Sequence, residues 1–245
     1  MIPRPETLER LIRYRDTEHL VKVVSGVRRC GKSTLLDMFR DHLMASGIAP
    51  ASVLALNFER FELAGIDSAE KLDALVAGHA FPEGRRYILL DEVQLVPGWE
   101  RVVNSLRLEP SNDVYITGSN TRLLGTKLAT LLSGRYVTID VLPLSFAEYL
   151  VARPADGEAG RRQRFSEYLT TGGLPGLLNL PEDDRVRREY LDGVLSTILM
   201  KDVIQVHQVR DADALWKITR YLGANIGNQV TVAGIAHYFA SSGRR

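Results

Sequence analysis

Two periods of apolar residues organise this chain, and they exchange places near residue 145. Before it, short apolar runs alternate with stretches in which apolar residues recur every three or four positions. The runs span residues 18–25, 52–57, 86–90, 113–117 and 135–142, and each predicts a strand. The third, Arg86 to Leu90 (RYILL), is almost wholly apolar, as a parallel strand covered on both faces requires. The stretches between them predict helices. Leu8, Leu11 and Ile12 share a face in residues 5–14, and Leu35, Leu36, Phe39 and Leu43 do so in 34–43. Leu72, Leu75 and Val76 follow a cap at Asp67-Ser68, and Trp99, Val102, Val103 and Leu106 fall at i, i+3, i+4, i+7. A short helix is expected near 121–132. The alternation predicts an α/β fold, a parallel sheet with helices on both faces. From Ser145 onward the pattern is helix after helix, with long helices over 184–206 and 211–222 and a short one over 231–240. Residues 153–160 (RPADGEAG) read as a linker, and Gly172-Gly173-Leu174-Pro175-Gly176 as a loop.

The first strand runs into Gly26-Val27-Arg28-Arg29-Cys30-Gly31-Lys32-Ser33, which fits G-x-x-x-x-G-K-[ST] at every fixed position. A helix follows, so the motif has the strand–loop–helix context that gives it meaning. Two glycines let backbone N–H groups converge on an anion, and the helix start adds its unpaired N–H groups and positive dipole end. Gly26, Val27, Arg28, Arg29, Cys30, Gly31, Lys32, Ser33 and Thr34 are thus the candidate nucleotide-binding residues. Lys32 would reach the β- and γ-phosphates, and Ser33 would ligate magnesium. With the loop expected at the surface, Lys32→Ala should lose nucleotide and keep the fold. The third strand ends in Leu89-Leu90-Asp91-Glu92. Asp91 is the candidate second metal ligand, and Glu92 the candidate acid that polarises the attacking water. If the strand stays extended, the two point in opposite directions.

Two further positions carry alternatives. Thr117-Gly118-Ser119-Asn120 ends the fourth strand, where Asn120 or Ser119 could sense the γ-phosphate; Gly-Ser-Asn is equally good turn chemistry. Arg135 opens the fifth strand and is either a solvated surface residue or a charge for the transition state, in cis or in a neighbouring subunit's site.

Composition narrows the classes. Of 245 residues, 45% are hydrophobic and 25% charged, the values of an ordinary globular chain. Net charge is +1, from 31 basic and 30 acidic residues, so the basic stripe of a dedicated nucleic-acid binder is missing. The single cysteine, Cys30, allows no internal disulfide and fits a reducing cytoplasm. No apolar run approaches the roughly 20 residues of a membrane span. The five histidines are scattered without metal-ligand spacing.

Taken in order, GVRRCGKST, YILLDEVQLVPGWE, YITGSNTRLL, LLSGRYVTIDVLPLSFAEYL, GGLPGLL and ILMKDVI resemble the AAA+-superfamily P-loop ATPases of bacteria and archaea usually described only as ATP-binding proteins. The resemblance implies the ASCE type of P-loop sheet, with strand order 5-1-4-3-2, followed by a helical region. It implies Glu92 as catalytic glutamate, Asn120 as the sensing polar residue, and a stronger case for Arg135. ATP and Mg2+ are the implied ligands. The expected organisation is an ATPase core over 1–150, a helical lid over 151–222 and the start of an incomplete winged helix over 223–245. The family's later nuclease-like domain is not expected within these residues. DNA or a protein would be the partner engaged through that later part.

Two functions of different class follow. One is magnesium-dependent ATP hydrolysis coupled to movement of the helical part. The other is a nucleotide-gated module that docks DNA or protein without significant hydrolysis. Glu92 discriminates, because a pure switch needs no water-polarising acid. A small-molecule kinase is disfavoured, since no arginine-rich lid for a second phosphate acceptor is evident.

Overall fold

The structure is a computed structural model and describes residues 2–118, 132 and 134–241. Five parallel strands form one sheet: β1 (Val21–Ser25), β2 (Val53–Asn57), β3 (Arg86–Asp91), β4 (Asn112–Thr117) and β5 (Tyr136–Asp140). Their order is β2-β3-β4-β1-β5, which is the expected 5-1-4-3-2 read from the other edge. Helix α1 (Pro5–Arg13) precedes β1, and α2 (Lys32–Ala45), α3 (Ala69–Ala77) and α4 (Trp99–Leu106) lie between strands.

Side-chain alternation along the strands divides the core into two layers. Val21, Val23, Ile88, Leu90, Val114 and Ile116 pack with Leu72 and Val76 of α3 and Val102 and Val103 of α4. Val24, Tyr87, Leu89, Tyr115 and Ile139 pack with Leu11 of α1 and Leu35, Leu36, Phe39 and Leu43 of α2. Covering both faces buries β1 and β4 along their whole lengths, including Lys22 and Asp113. Because all strands run the same way, their C-terminal ends, and the loops that leave them, share one edge of the sheet.

The chain divides into two compact units, residues 1–194 and 195–245. The first unit continues beyond the sheet with helices Phe146–Ala152 and Gly157–Thr171. The latter takes in Gly157 to Gly160, so the linker read from RPADGEAG is shorter than expected. Ser145 caps the Phe146–Ala152 helix, with Glu148 completing a capping box. The expected helix over 184–206 is present as Asp184–Thr197, a π-helical stretch Ile198–Ile204 and a last turn Gln205–His207. The second unit also holds helices Ala212–Ala224 and Val232–Ser241, where Tyr221 and Tyr238 pack with ring centres 4.9 Å apart.

Candidate functional site

β1 delivers the chain to the loop that the glycine motif marks, and the two glycines are needed for different reasons. At Gly26 a Cβ would lie 2.3 Å from the Val141 carbonyl oxygen and 2.7 Å from Cys30 Sγ, so the space admits no side chain. Gly31, with φ of 105°, is the left-handed residue that leads into α2. The Cys30 N–H closes the loop onto the Val27 carbonyl at 3.2 Å. Among the described residues no side chain caps α2. Its first-turn N–H groups are therefore left for an anion. Val27 and Arg29 are exposed and Arg28 half-buried, whereas Cys30 is buried and its thiol is pushed up by that burial.

Lys32 departs from expectation. The loop was expected to hold it at the surface, yet it is only 5% exposed. Its Nζ donates to the carbonyls of Gly26 at 3.1 Å and Val27 at 3.3 Å, and lies 4.0 Å from Glu92 Oε1. Folding the four-carbon stem against the loop it belongs to is what removes it from solvent.

Asp91 ends β3 between two neutral donors. The Thr117 hydroxyl, at the end of β4, donates to Oδ1, and Asn57 Nδ2, at the end of β2, donates to Oδ2 at 2.7 Å. The strand order puts β3 between those two strands, so three sequence-distant residues meet at one edge. Thr117 Oγ1 also accepts the Glu92 N–H at 3.0 Å. At Glu92 the chain leaves the extended conformation. Its φ of 55° and ψ of 38° are left-handed, at a cost of about 1–2 kcal/mol for a residue with a Cβ. The two acids therefore do not simply point apart as extended neighbours would. A 3-10 turn over Val93–Leu95 follows, held by the Leu95 N–H on the Glu92 carbonyl at 3.1 Å. The Glu92 carboxyl is buried, and Gln94 Nε2 donates to Oε2 at 2.5 Å. Burial pushes this carboxyl up from its ordinary range, while Gln94 and Lys32 pull it partly back. A raised carboxyl pKa moves toward the range in which general bases work.

Ser33 and Asp91 line one cavity of about 430 Å³, together with Leu36, Asp37, Arg40 and Asn57. Hydroxyl and carboxylate are the hard oxygen donors that magnesium takes, with waters and substrate phosphates completing its shell. Among the described residues no three His, Cys, Asp or Glu side chains gather to hold a metal by themselves.

Sequence reasoning missed several residues here. Arg4, from before α1, is buried at the base of the loop. Its Nη1 donates to the Cys30 carbonyl at 3.1 Å, Nη2 to the Leu142 carbonyl at 2.8 Å, and Nε to Glu148 Oε1 at 3.1 Å. Burial pushes the Glu148 carboxyl up, but Arg4 and Ser145 outweigh it and hold it below its usual range. The Gly172–Gly176 loop packs beside the same place. A Cβ on Gly173 would lie 2.2 Å from the Leu144 carbonyl oxygen, and a Cβ on Gly31 would lie 3.8 Å from Pro175 Cγ. Tyr190 reaches back as well, with the Arg29 guanidinium 5.3 Å from its ring centre. The glycines of residues 172–176 are the available signal; in sequence they read only as a loop, although at Gly173 and Gly176 the need is for close approach.

Two expected residues do not join this group. Asn120, with Ser119, lies outside the described residues. Arg135 is described, and its backbone carbonyl accepts the Val21 N–H at 3.1 Å, at the start of β1. The glycine loop leaves the other end of that five-residue strand, roughly 16 Å away at 3.3 Å per residue. Parallel strands thus put the start of β5 at the edge of the sheet opposite the glycine loop.

A family model described as "AAA domain" matches residues 18–150, and one described as "Domain of unknown function (DUF8612)" matches 162–244. An uncharacterized protein of Haemophilus influenzae is 39% identical over 244 residues, covering 98% of this chain and 60% of that protein. The uncharacterized protein MJ1544 of Methanocaldococcus jannaschii is 27% identical, covering 96% of this chain and 53% of that one. This chain thus spans somewhat over half the length of both relatives. Among solved structures, a Signal Transduction ATPase with Numerous Domains protein with a tetratricopeptide repeat sensor, from Pyrococcus horikoshii, is 16% identical with a TM-score of 0.47, covering 80% of this chain and 32% of that one. The first family model takes in every strand, the glycine loop and both acids, more than half of the residues, and this protein belongs to the AAA domain family.

Proposed function

We propose that this chain binds ATP with magnesium at the C-terminal edge of its sheet and hydrolyses it. One observation carries the reading: a buried carboxyl, Glu92, stands 4.0 Å from the loop lysine, beside a second carboxyl whose oxygens are already held by neutral donors. A protein that only bound nucleotide would gain nothing from a buried acid with raised pKa in that position.

The roles divide by surroundings. Residues 26–34 take the phosphates, with Lys32 exchanging its bonds to the Gly26 and Val27 carbonyls for phosphate oxygens. Ser33 and Asp91 would hold the magnesium, both Asp91 oxygens already accepting from neutral donors. When bound, the ion neutralises charge on the phosphates and steadies the leaving group. Glu92 accepts the proton of the attacking water. Asn120 senses the γ-phosphate, and Arg135 acts only across a subunit boundary, if the chain assembles that way. The stacking of Arg29 on Tyr190 supplies a route from nucleotide to the helices that follow the sheet. DNA or protein engagement through residues after 223, read as the opening of a winged helix, rests on the sequence resemblance.

The test is phosphate release from ATP with magnesium by the parent chain and by Glu92→Gln, with ATP affinity measured on both. Release by the parent, lost in the variant at unchanged affinity, supports the reading. An ATP-binding parent that releases no phosphate at any concentration, with candidate partners and in its assembled form, sinks hydrolysis in favour of the switch.

A further inference from the structure

We infer that Gln94 is the positioning residue for Glu92: it ties down one carboxylate oxygen so that the other stays aimed at the phosphate-binding lysine without collapsing onto it. This rests on the hydrolysis reading above.

The distances carry the argument. Gln94 Nε2 holds Glu92 Oε2 at 2.5 Å, and the remaining oxygen, Oε1, is the one 4.0 Å from Lys32 Nζ. Two buried opposite charges separated by that gap attract strongly, and an unrestrained carboxylate would close to direct contact with the ammonium. That contact would take the phosphate ligand and the water-polarising acid out of use together. Other charges acting on Glu92 are Asp91, the last residue of β3, and Glu59 from the loop after β2. Both are negative, so neither can donate to the Glu92 carboxylate, and the neutral amide of Gln94 is the group that does.

Two features show that the contact is not incidental packing. Glu92 adopts its left-handed backbone conformation at the start of the turn that brings residue 94 back to residue 92. Gln94 Oε1 is buried and has no partner among the described residues. An orphaned buried acceptor costs free energy that an apolar residue of the same size would not. The chain thus carries both backbone strain and an unpaired acceptor where it keeps this amide.

In the reaction, the water oxygen bonds to the γ-phosphorus as the bond to the β–γ bridging oxygen breaks. The electron pair leaves with ADP, and the water's proton goes to Glu92 Oε1. Gln94 gives and takes no proton throughout.

The experiment is a double-mutant cycle. Gln94→Met keeps the volume and removes the amide; single-turnover ATP hydrolysis and ATP affinity are measured for the parent, Gln94→Met, Glu92→Gln and the double variant. The expected result is a loss of roughly tenfold or more in the rate for Gln94→Met, with affinity changed much less. In the Glu92→Gln background the same substitution should change the rate less than about twofold, because the group it positions is gone. An unchanged rate in Gln94→Met overturns the proposal and leaves the hydrolysis reading standing. So does an equal loss in both backgrounds, which marks a structural role. If Gln94→Met does not fold, Gln94→Asn, whose amide is one methylene too short to reach, is judged by the same two criteria. A parent that never hydrolyses ATP removes the reading and this inference together.

Discussion

Two lysines ten positions apart are buried against carboxyls at opposite ends of the same sheet, and they are built in opposite ways. Lys22 and Asp113 are fully buried and in direct contact. The pair is tied in further: Lys22 also donates to the Thr17 carbonyl at 3.0 Å, and Asp113 accepts from Tyr115 Oη at 3.1 Å and the Asp16 N–H at 2.8 Å. Lys32 and Glu92 stop 4.0 Å short of each other, and Lys32 rests on carbonyls of its own loop. A pair in direct contact, with neighbours on both partners, leaves little capacity for a ligand and serves to hold the chain before β1. An open pair stores unspent hydrogen-bonding capacity, which is what a site for phosphate and water needs. Burial of charge alone therefore does not mark a site; burial with incomplete pairing does.

The comparison breaks first on stability. Lys22→Met leaves Asp113 without its cation and should cost about 3–5 kcal/mol. Lys22→Met with Asp113→Leu should recover much of that, because no uncompensated charge remains. Lys32→Met, its counterpart at the other end, should cost far less. Urea midpoints of the four proteins decide it, and equal losses for Lys22→Met and Lys32→Met would erase the distinction.

How much of this was legible follows the same line. The glycine motif, Asp91 and Glu92 were readable because phosphate chemistry demands fixed residue types at fixed local spacing, and the five strands because parallel burial demands apolar runs. Strand β3 was expected at 86–90 and lies at Arg86–Asp91; β5 is shorter at both ends than expected. Lys22 and Asp113 were not readable. Each looked like one polar residue in an apolar run, and the pairing spans 91 positions that only the strand order brings together. Arg4 was hidden for the same reason, since its partners are Cys30, Leu142 and Glu148. Which end of the sheet Arg135 occupies was not legible, because strand direction and order, not local sequence, decide it.

Glu92→Gln tests the open end. Hydrolysis should slow by about a hundredfold or more with ATP affinity nearly intact. The same variant should gain stability, with a pH dependence that identifies the cause. Below an ordinary carboxyl value of 4.5 the side chain is neutral folded and unfolded, and burial costs it little. As pH rises past that value the unfolded chain ionises first, so stability falls until the folded carboxyl ionises too. Glutamine escapes this loss. Thermal midpoints of parent and variant should therefore agree near pH 4 and separate in the variant's favour by about pH 7. A gap that does not change with pH would assign the gain to something other than the buried charge.

Lys32→Ala comes next in size. Loss of one charged donor to phosphate should weaken ATP binding by roughly 10- to 100-fold. The substitution also removes the donor to the Gly26 and Val27 carbonyls. Calorimetric titration on a folded sample checks this. Undiminished affinity would mean that the glycine loop is not where the nucleotide binds.

The smallest effect expected belongs to the closed end. Tyr87 Oη donates to Asp16 Oδ1 at 2.7 Å, extending the network from Asp113 through the backbone of Asp16. Tyr87→Phe should cost about 1 kcal/mol at neutral pH, the usual net worth of one such bond. Its informative part lies in alkali. Burial, then the Asp16 carboxylate, raises the Tyr87 phenol well above its ordinary 10.0, and burial and Asp113 do the same to Tyr115. Below that ordinary value both phenols are neutral folded and unfolded. Above it the unfolded chain ionises and the folded one does not, so stability falls as pH rises. Phenylalanine at 87 removes one of the two contributions. The gap between parent and Tyr87→Phe should therefore narrow between about pH 9 and pH 11. ATP affinity at pH 8 should not move, since the network is a sheet's length from the glycine loop. A gap that stays constant into alkali would mean that Tyr87 is not held in its neutral form, and that this end of the sheet is less closed than its hydrogen bonds indicate.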